Sequence, residues 1–279
     1  MKKNMFNSFL FVVFGILFFA SNVIRAYGTL AIVAEMPDQI SEEIKGTGAH
    51  SGKGAGSAAH IRNIIHGDKN FPQKFFTIEA EKTPHITLAI IGTLNHNNTK
   101  VTDIAGKTFN VKDIDLVVGQ AIQDYIKHQK RNQYEVPLYL KLDKGVKLLY
   151  EGKPRVVSGA KKVSVVQDVL GQPGIKASGK LAYLVGKLRK ALSKQGVTFK
   201  YGFKPHVTLA AVSSSSLGIE NLKKADNNPR SRLFRKFSDV ASTTEKAHKK
   251  GSRYKSMKID EILLSFDRNM KNTTAYRLR

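Results

Sequence analysis

The chain has 279 residues, 41% of them hydrophobic, so it can bury a sizeable core and is not a disordered tail. It has no cysteine, which excludes disulfides, thiolate metal sites and a thiol nucleophile. The net charge is +24, and residues 91–279 hold 37 basic against 15 acidic residues. Such a surplus favours a polyanion such as RNA or an anionic membrane surface, although it can also serve solubility alone.

Residues 1–26 have the pattern of a secretory signal peptide. Lys2 and Lys3 precede an uncharged apolar run over residues 5–20, and residues 23–26 offer a small-residue processing site. The run is shorter than the roughly 20 residues that a spanning helix prefers. We therefore predict export to the periplasm or the medium, with an uncleaved membrane anchor as the alternative. Residues 27–279 are predicted to form a single domain without a membrane span.

Strands and helices are predicted to interleave along this domain. The expected strands cover residues 28–34, 75–79, 85–91, 136–142, 146–150, 154–157 and 162–169, one that begins at residue 206, and a last one at 259–267. The expected helices cover residues 37–46, 57–67, 118–130 and 178–195, and a stretch near residue 222. A glycine-rich loop is predicted at 46–56 and a basic insert at 223–258.

Two short sequences, PHITLA at residues 84–89 and PHVTLA at 205–210, agree at five of six positions. Alternate side chains of a strand point the same way. One face would therefore carry His85, Thr87, Ala89 and Ile91 on the first strand, and His206, Thr208, Ala210 and Val212 on the second. The opposite, core face would include Ile90 and Ala211. The repeat predicts an α+β or α/β fold with pseudo-twofold symmetry that brings both strands to one cleft.

A histidine and a threonine on each of two matched strands suit phosphodiester chemistry. One imidazole can take a proton from the attacking oxygen while the other gives one to the leaving oxygen, because the unperturbed pKa of His, about 6.5, suits both tasks. The threonine hydroxyls can hold non-bridging oxygens. A lone His-x-Thr would more often be structural. The sequence shows no carboxylate cluster for a metal, and His50, His60 and His66 are a weak zinc candidate.

The paired strands resemble the two signatures of the two-histidine (2H) phosphoesterase superfamily, especially its RNA 2′,3′-cyclic phosphodiesterase branch, also called 2′-5′ RNA ligases. The likeness is strongest over residues 178–212. It implies a bilobed α+β fold with an antiparallel sheet and helices in each lobe around a central cleft. It also implies that one of His85 and His206 is the base and the other the acid, while Thr87 and Thr208 bind phosphate.

The resemblance further implies hydrolysis of a 2′,3′-cyclic phosphate or a 2′-5′ linked RNA end, with reverse 2′-5′ ligation as an additional reaction. No metal or cofactor is expected, and the protein is expected to be a monomer. Candidate substrate contacts near the motifs are Lys82, Lys204, Tyr201 and Phe203, since cations track phosphate and aromatic rings stack on bases. Solvated lysines and a core Phe203 are the alternative. The alternative function is an exported basic protein that binds RNA or another polyanion without turnover.

Overall fold

The computed structural model describes residues 28–45, 76–149, 155–157, 160–170, 179–199, 202–226, 257–267 and 270–279. The predicted signal peptide, the loop at 46–56, the helix at 57–67 and most of the basic insert lie outside these residues, as does the candidate contact Tyr201. The histidines at positions 50, 60 and 66 also lie outside them. In the part of the chain that is described, no helix has the length and apolarity needed to cross a membrane.

Twelve strands and four helices interleave along the described residues. The strands are β1 Thr29–Glu35, β2 Phe76–Ala80, β3 His85–Leu94, β4 Lys100–Thr102, β5 Thr108–Asn110, β6 Leu138–Leu149, β7 Arg155–Val157, β8 Ala160–Leu170, β9 His206–Ser214, β10 Met257–Ile259, β11 Glu261–Ser265 and β12 Thr273–Arg277. The helices are α1 Asp38–Lys45, α2 Val111–Arg131, α3 Gly179–Lys194 and α4 Ser216–Asp226. Every strand pairing among these elements is antiparallel, which confirms the predicted α+β class.

The strands follow one hydrogen-bonded path in the order β10-β6-β8-β9-β3-β1-β11-β12. Beside this path, β2 pairs with β9, β4 pairs with β3 and β5, and β7 pairs with β8. Asp260 alone separates β10, at one end of the path, from β11, near the other end. Because consecutive Cα atoms are only about 3.8 Å apart, the sheet must curve until these two strands approach each other.

One hydrophobic cluster joins the two halves of the path. It contains Leu30 and Ile86 from β1 and β3, and Val165 and Val207 from β8 and β9. Helices α2 and α3 pack against each other and against strands β3, β5 and β12, whereas α4 packs on β6, β8 and β9. The helices present apolar stripes at helical spacing, with Ile114, Val118 and Ile122 in α2 and Leu181, Leu184 and Leu188 in α3.

The buried Tyr125 ties α2 to the connection that follows it. Its ring is fully buried, and its hydroxyl donates a hydrogen bond to the carbonyl oxygen of Val136 at 3.2 Å. Burial raises the pKa of this hydroxyl, so Tyr125 stays a proton donor. The bond fixes the turn between α2 and β6.

Several predicted boundaries are wrong. The strands predicted at 136–142 and 146–150 are one strand, β6, with a register irregularity between Leu142 and Val146. The strand predicted at 259–267 is divided at Asp260 into β10 and β11, and it is not the last, because β12 follows. The basic insert is shorter than predicted, since residues 223–226 belong to α4 and residues 257–258 to β10. The hairpin of β4 and β5 was not predicted.

Candidate active site

The two motif histidines begin two neighbouring strands of the sheet. His85 is the first residue of β3, His206 is the first residue of β9, and the pair Ile86–Val207 joins these strands in antiparallel register. That register places His85 beside Thr208, and Thr87 beside His206. Residues directly opposite each other share a face of the sheet, with Cβ atoms about 4.5–5.5 Å apart. The structure thus gathers the four half-buried motif side chains into one square on one face.

A β-bulge follows each motif threonine, at equivalent places in the two halves. On β3, Ala89 pairs with Ile32 but Thr87 pairs with Val33, so Leu88 is the extra residue. On β9 the equivalent register shift lies between Val165 and Val166, and Leu209 is the extra residue. Bulges bend a strand, re-aim its side chains and are frequent beside active sites.

The bulges change which residues share a face with the motifs. Ile90 is 37% exposed, whereas Ala89 and Ile91 are 4% and 1% exposed, because the extra residue shifts the alternation by one. In β9 the buried residues are Ala210 and Val212, whereas Ala211 is half-buried. The expected faces are therefore wrong beyond Thr87 and Thr208. On β3 and β9 the motif face therefore continues from the histidine and the threonine to Ile90 and Ala211, and not to Ala89 and Ala210.

The two imidazoles are oriented in the same way by the main chain. Nδ1 of His85 donates a hydrogen bond to the carbonyl oxygen of Thr83 at 2.7 Å, and Nδ1 of His206 donates one to the carbonyl oxygen of Lys204, also at 2.7 Å. A carbonyl only accepts, so Nδ1 carries the proton in each ring and Nε2 is left for proton transfer. A proline lies between donor and acceptor in both motifs, and its fixed φ holds this short connection extended.

Two carboxylates flank the histidines on the outer strands, and sequence reasoning missed both. Strand β1 places Glu35 opposite His85, and strand β8 places Asp168 opposite His206. The four residues lie on the motif face, since directly opposed residues share a face. Within the described ranges, no three His, Asp or Glu side chains are gathered as a metal site requires.

The other predicted contacts have different surroundings. Lys82 and Lys204 are exposed in the loops just before the two motif strands. The backbone N–H of Lys82 donates to the carboxylate of Glu81 at 3.1 Å, which orders the first of these loops. Phe203 is half-buried and packs against the hydrophobic core.

Asp103 connects the first half of the fold to the loop before the second motif. One oxygen of this buried carboxylate accepts the N–H groups of Ala105 and Lys107, both at 2.9 Å, and the other accepts the N–H of Thr198 at 2.8 Å. Burial by itself would raise the pKa of Asp103, but the hydrogen bonds from Thr198, Lys107 and Ala105 outweigh it and hold the pKa below its ordinary value. Thr198 lies in the segment between α3 and β9, so this contact helps position His206.

The folded chain is similar to two solved structures. One is Kluyveromyces marxianus Usb1 with uridine monophosphate, at 9% sequence identity and a TM-score of 0.49, over 91% of this chain and 99% of that chain. The other is a phosphoesterase, at 16% identity and a TM-score of 0.38, over 91% of this chain and 96% of that chain. No protein-family model and no curated protein sequence matches this chain. At these levels of similarity, function must come from the residues of the site.

Proposed function

We propose that this protein is a phosphodiesterase of the two-histidine type, which hydrolyses 2′,3′-cyclic phosphates or 2′-5′ linked RNA ends without a metal. The observation that supports it is the local twofold relation of His85 and His206 about the Ile86–Val207 pair, each with Nδ1 bound to the main chain. Diagonal positions on antiparallel strands are roughly 7–8 Å apart. A phosphate group fits between two imidazoles at that spacing.

In this mechanism the two Nε2 atoms exchange protons with the two oxygens that move. One neutral imidazole takes a proton from water as the water oxygen bonds to phosphorus. The other, protonated, imidazole gives its proton to the ribose oxygen as the bond from phosphorus to that oxygen breaks. The base ends protonated and the acid ends neutral, so a proton exchange with solvent resets the pair. Because of the twofold relation, either histidine can act as the base. The orientation of the bound ester determines which histidine faces the attacking water and which faces the leaving ribose oxygen.

Thr87 and Thr208 hold the phosphate while this exchange takes place. Each hydroxyl can donate a hydrogen bond to a non-bridging oxygen, and each lies beside the histidine of the other strand. The negative charge of the phosphate grows more concentrated on these oxygens as water attacks, so donors aimed at them stabilise the transition state.

The basic surface supports a nucleic acid as the source of the ester. Helix α3 carries Lys180, Lys187, Arg189, Lys190 and Lys194 and no acidic residue. The loops before the motifs add Lys82 and Lys204. We propose an RNA or oligonucleotide substrate that is met outside the cell, where the predicted signal peptide would send the enzyme.

The test is an assay of the purified protein with 2′,3′-cyclic nucleotides and 2′-5′ linked dinucleotides. We expect hydrolysis that EDTA leaves unchanged and that His85→Ala or His206→Ala reduces by on the order of 10² or more. Strong inhibition by EDTA that zinc reverses would overturn the metal-free mechanism. Tight RNA binding without hydrolysis, equal in the parent and both variants, would instead establish the polyanion-binding alternative.

A further inference from the structure

We propose that Ile90 binds the nucleoside of a 2′,3′-cyclic phosphate, and that this contact makes His206 the acid and His85 the base. This inference rests on the proposed phosphodiesterase function. The motif side chains are related by a local twofold axis, so by themselves they do not orient an ester. The next residue on the motif face differs in size between the two halves, since it is Ile90 on β3 and Ala211 on β9.

The twofold relation extends from the motifs to the outer strands. Strand β1 places Val33 opposite Thr87, and strand β8 places Val166 opposite Thr208. Both valines are buried. A carboxylate likewise lies opposite each motif histidine. None of these residues distinguishes one end of the site from the other, so the orientation of a substrate must come from the next positions along the strands.

The end of the site beside His206 is apolar. Strand β3 runs from His85 past Thr87 to Ile90. Thr87 lies opposite His206, so Ile90 is closer to His206 than to His85. Ile90 lies about 7–10 Å further along the strand than Thr87, and its partner on β1 is Ala31. Because Ile90 is 37% exposed, this end offers an aliphatic surface to a ligand.

The end of the site beside His85 is polar and charged. Ala211 follows Thr208 on the motif face, with Glu79 of β2 and Ser164 of β8 opposite it. Glu79 and Lys162 form a salt bridge of 2.9 Å between the two strands that flank β9. This end therefore has polar partners for water, and the single methyl group of Ala211 gives a nucleoside little apolar surface.

The difference between the two ends fixes the direction of the reaction. Base and ribose have apolar faces, so a nucleoside gains more from contact with Ile90 than from the salt bridge. In a 2′,3′-cyclic phosphate both ester oxygens belong to one ribose, and the attacking and leaving oxygens lie roughly in line. Water therefore bonds to phosphorus at the polar end and gives its proton to Nε2 of His85. The bond from phosphorus to one ribose oxygen breaks, and that oxygen takes the proton of Nε2 of His206.

The test compares a cyclic phosphate that has a nucleoside with one that has none. The substrates are uridine 2′,3′-cyclic phosphate and ethylene phosphate, assayed with the parent, Ile90→Ser and Ile90→Val. Burial of one aliphatic side chain changes affinity by about tenfold or more. We expect Ile90→Ser to lower kcat/KM for the nucleotide about tenfold, and Ile90→Val to retain most of it. Neither variant should change kcat/KM for ethylene phosphate.

Ile104→Ser is the matched control, because Ile104 is 52% exposed in the turn between β4 and β5. It should change kcat/KM for neither substrate. An equal loss for both substrates in Ile90→Ser would assign Ile90 a structural role and overturn the inference. Parent turnover with an unchanged kcat/KM for the nucleotide in Ile90→Ser would retain the phosphodiesterase and reject the role of Ile90.

The pH dependence of the residual activities identifies the acid and the base. A variant without the base needs only a protonated acid, so its kcat/KM falls as the pH rises, and a variant without the acid behaves in the opposite way. We expect His85→Ala to retain the falling limb and His206→Ala the rising limb. Glu35 and Asp168, opposite the two histidines, can move the pH of each limb but not its direction. The opposite assignment would overturn the inference.

A binding measurement separates these outcomes from failure of the proposed function. If the parent hydrolyses neither substrate, calorimetry gives the Kd of uridine 3′-phosphate and of methyl phosphate for the parent and Ile90→Ser. Weaker binding of the nucleotide alone in Ile90→Ser would retain the nucleoside contact and reject the enzyme, together with the assignment of acid and base. Equal binding by both proteins, or failure of the parent to bind the nucleotide, would reject the contact as well.

Discussion

Ile86 and Val207 face each other at the middle of the sheet, and each follows a motif histidine by one position. Both side chains are completely buried. A slip of one residue between β3 and β9 would turn the histidine and threonine of one motif from the half-buried face into the core. Burial of this one pair therefore fixes the relative positions of two histidines that the sequence separates by 121 residues.

Replacing either motif histidine should abolish most turnover and leave the fold intact. We expect His85→Ala and His206→Ala each to lower kcat for a 2′,3′-cyclic nucleotide by about 10² to 10⁴. The kcat of the double variant should be little lower than that of the less active single variant, because the two histidines act as a unit. The matched control is His96→Ala, since His96 is exposed in the turn before β4. Additive losses in kcat would contradict concerted action.

The motif threonines should contribute through their hydroxyl groups. Thr87→Val and Thr208→Val keep the branched shape but remove the donor, so we expect kcat to fall by about 10². The melting temperature should change little, because both side chains are only half-buried. Thr93→Val, at an exposed position further along β3, serves as the control. Full activity in both motif variants would show that other groups hold the phosphate.

The bulge in β3 can be tested by substitutions, because a regular strand would alternate buried and exposed side chains differently beyond Thr87. Ile90 is 37% exposed and Ala89 is 4% exposed. Ile90→Lys should therefore leave the free energy of unfolding nearly unchanged, whereas Ala89→Lys should lower it by about 3 kcal/mol or more, since it buries a charge and overfills the core. Chemical denaturation measures both values. The opposite order would mean that β3 has no bulge.

Asp103 should stabilise the folded protein most at neutral pH. Its pKa in the folded state lies below the ordinary value of 3.8, so its contribution is complete above that value and is lost as the pH falls through the folded-state pKa. We expect Asp103→Asn to lower the free energy of unfolding at pH 7 by about 1–3 kcal/mol, since the amide NH₂ cannot accept the backbone N–H groups.

The pH dependence distinguishes this effect from simple loss of packing. The difference between parent and Asp103→Asn should shrink below about pH 4, as the parent carboxylate is protonated. Urea titrations at pH 7, 4 and 3 give the difference directly. Asp124→Asn is the control, because Asp124 is exposed and accepts a single side-chain bond from Gln120 at 2.9 Å. A difference that stays constant with pH would assign the loss to shape and not to charge.

The sequence predicted the elements whose own residues determine them. Helix α3 was predicted within a residue or so of its ends, since its leucines repeat at helical spacing and Gly196 adopts a φ of +90° just beyond it. The motif strands were predicted because apolar residues alternate within them. The repeat predicted that the two motif strands lie close together, and in the structure they pair through Ile86 and Val207.

What the sequence did not predict depends on pairing between distant segments. The bulges at Leu88 and Leu209 exist only relative to β1 and β8, and nothing in PHITLA or PHVTLA marks them. Glu35 and Asp168 were missed for the same reason, since only the pairing of distant strands brings them opposite the motif histidines. The hairpin of β4 and β5 has only three residues in each strand, too few to show a period.

The passage from β10 through Asp260 to β11 affects how the protein can be made. Residues 257–259 complete one end of the strand path and residues 261–277 complete the other, so neither end has its full set of strands until this segment leaves the ribosome. Until then β1 lacks β11, its partner at this edge among the described strands, and an open edge invites aggregation. The nascent chain should therefore depend on a holding chaperone until translation has passed β12.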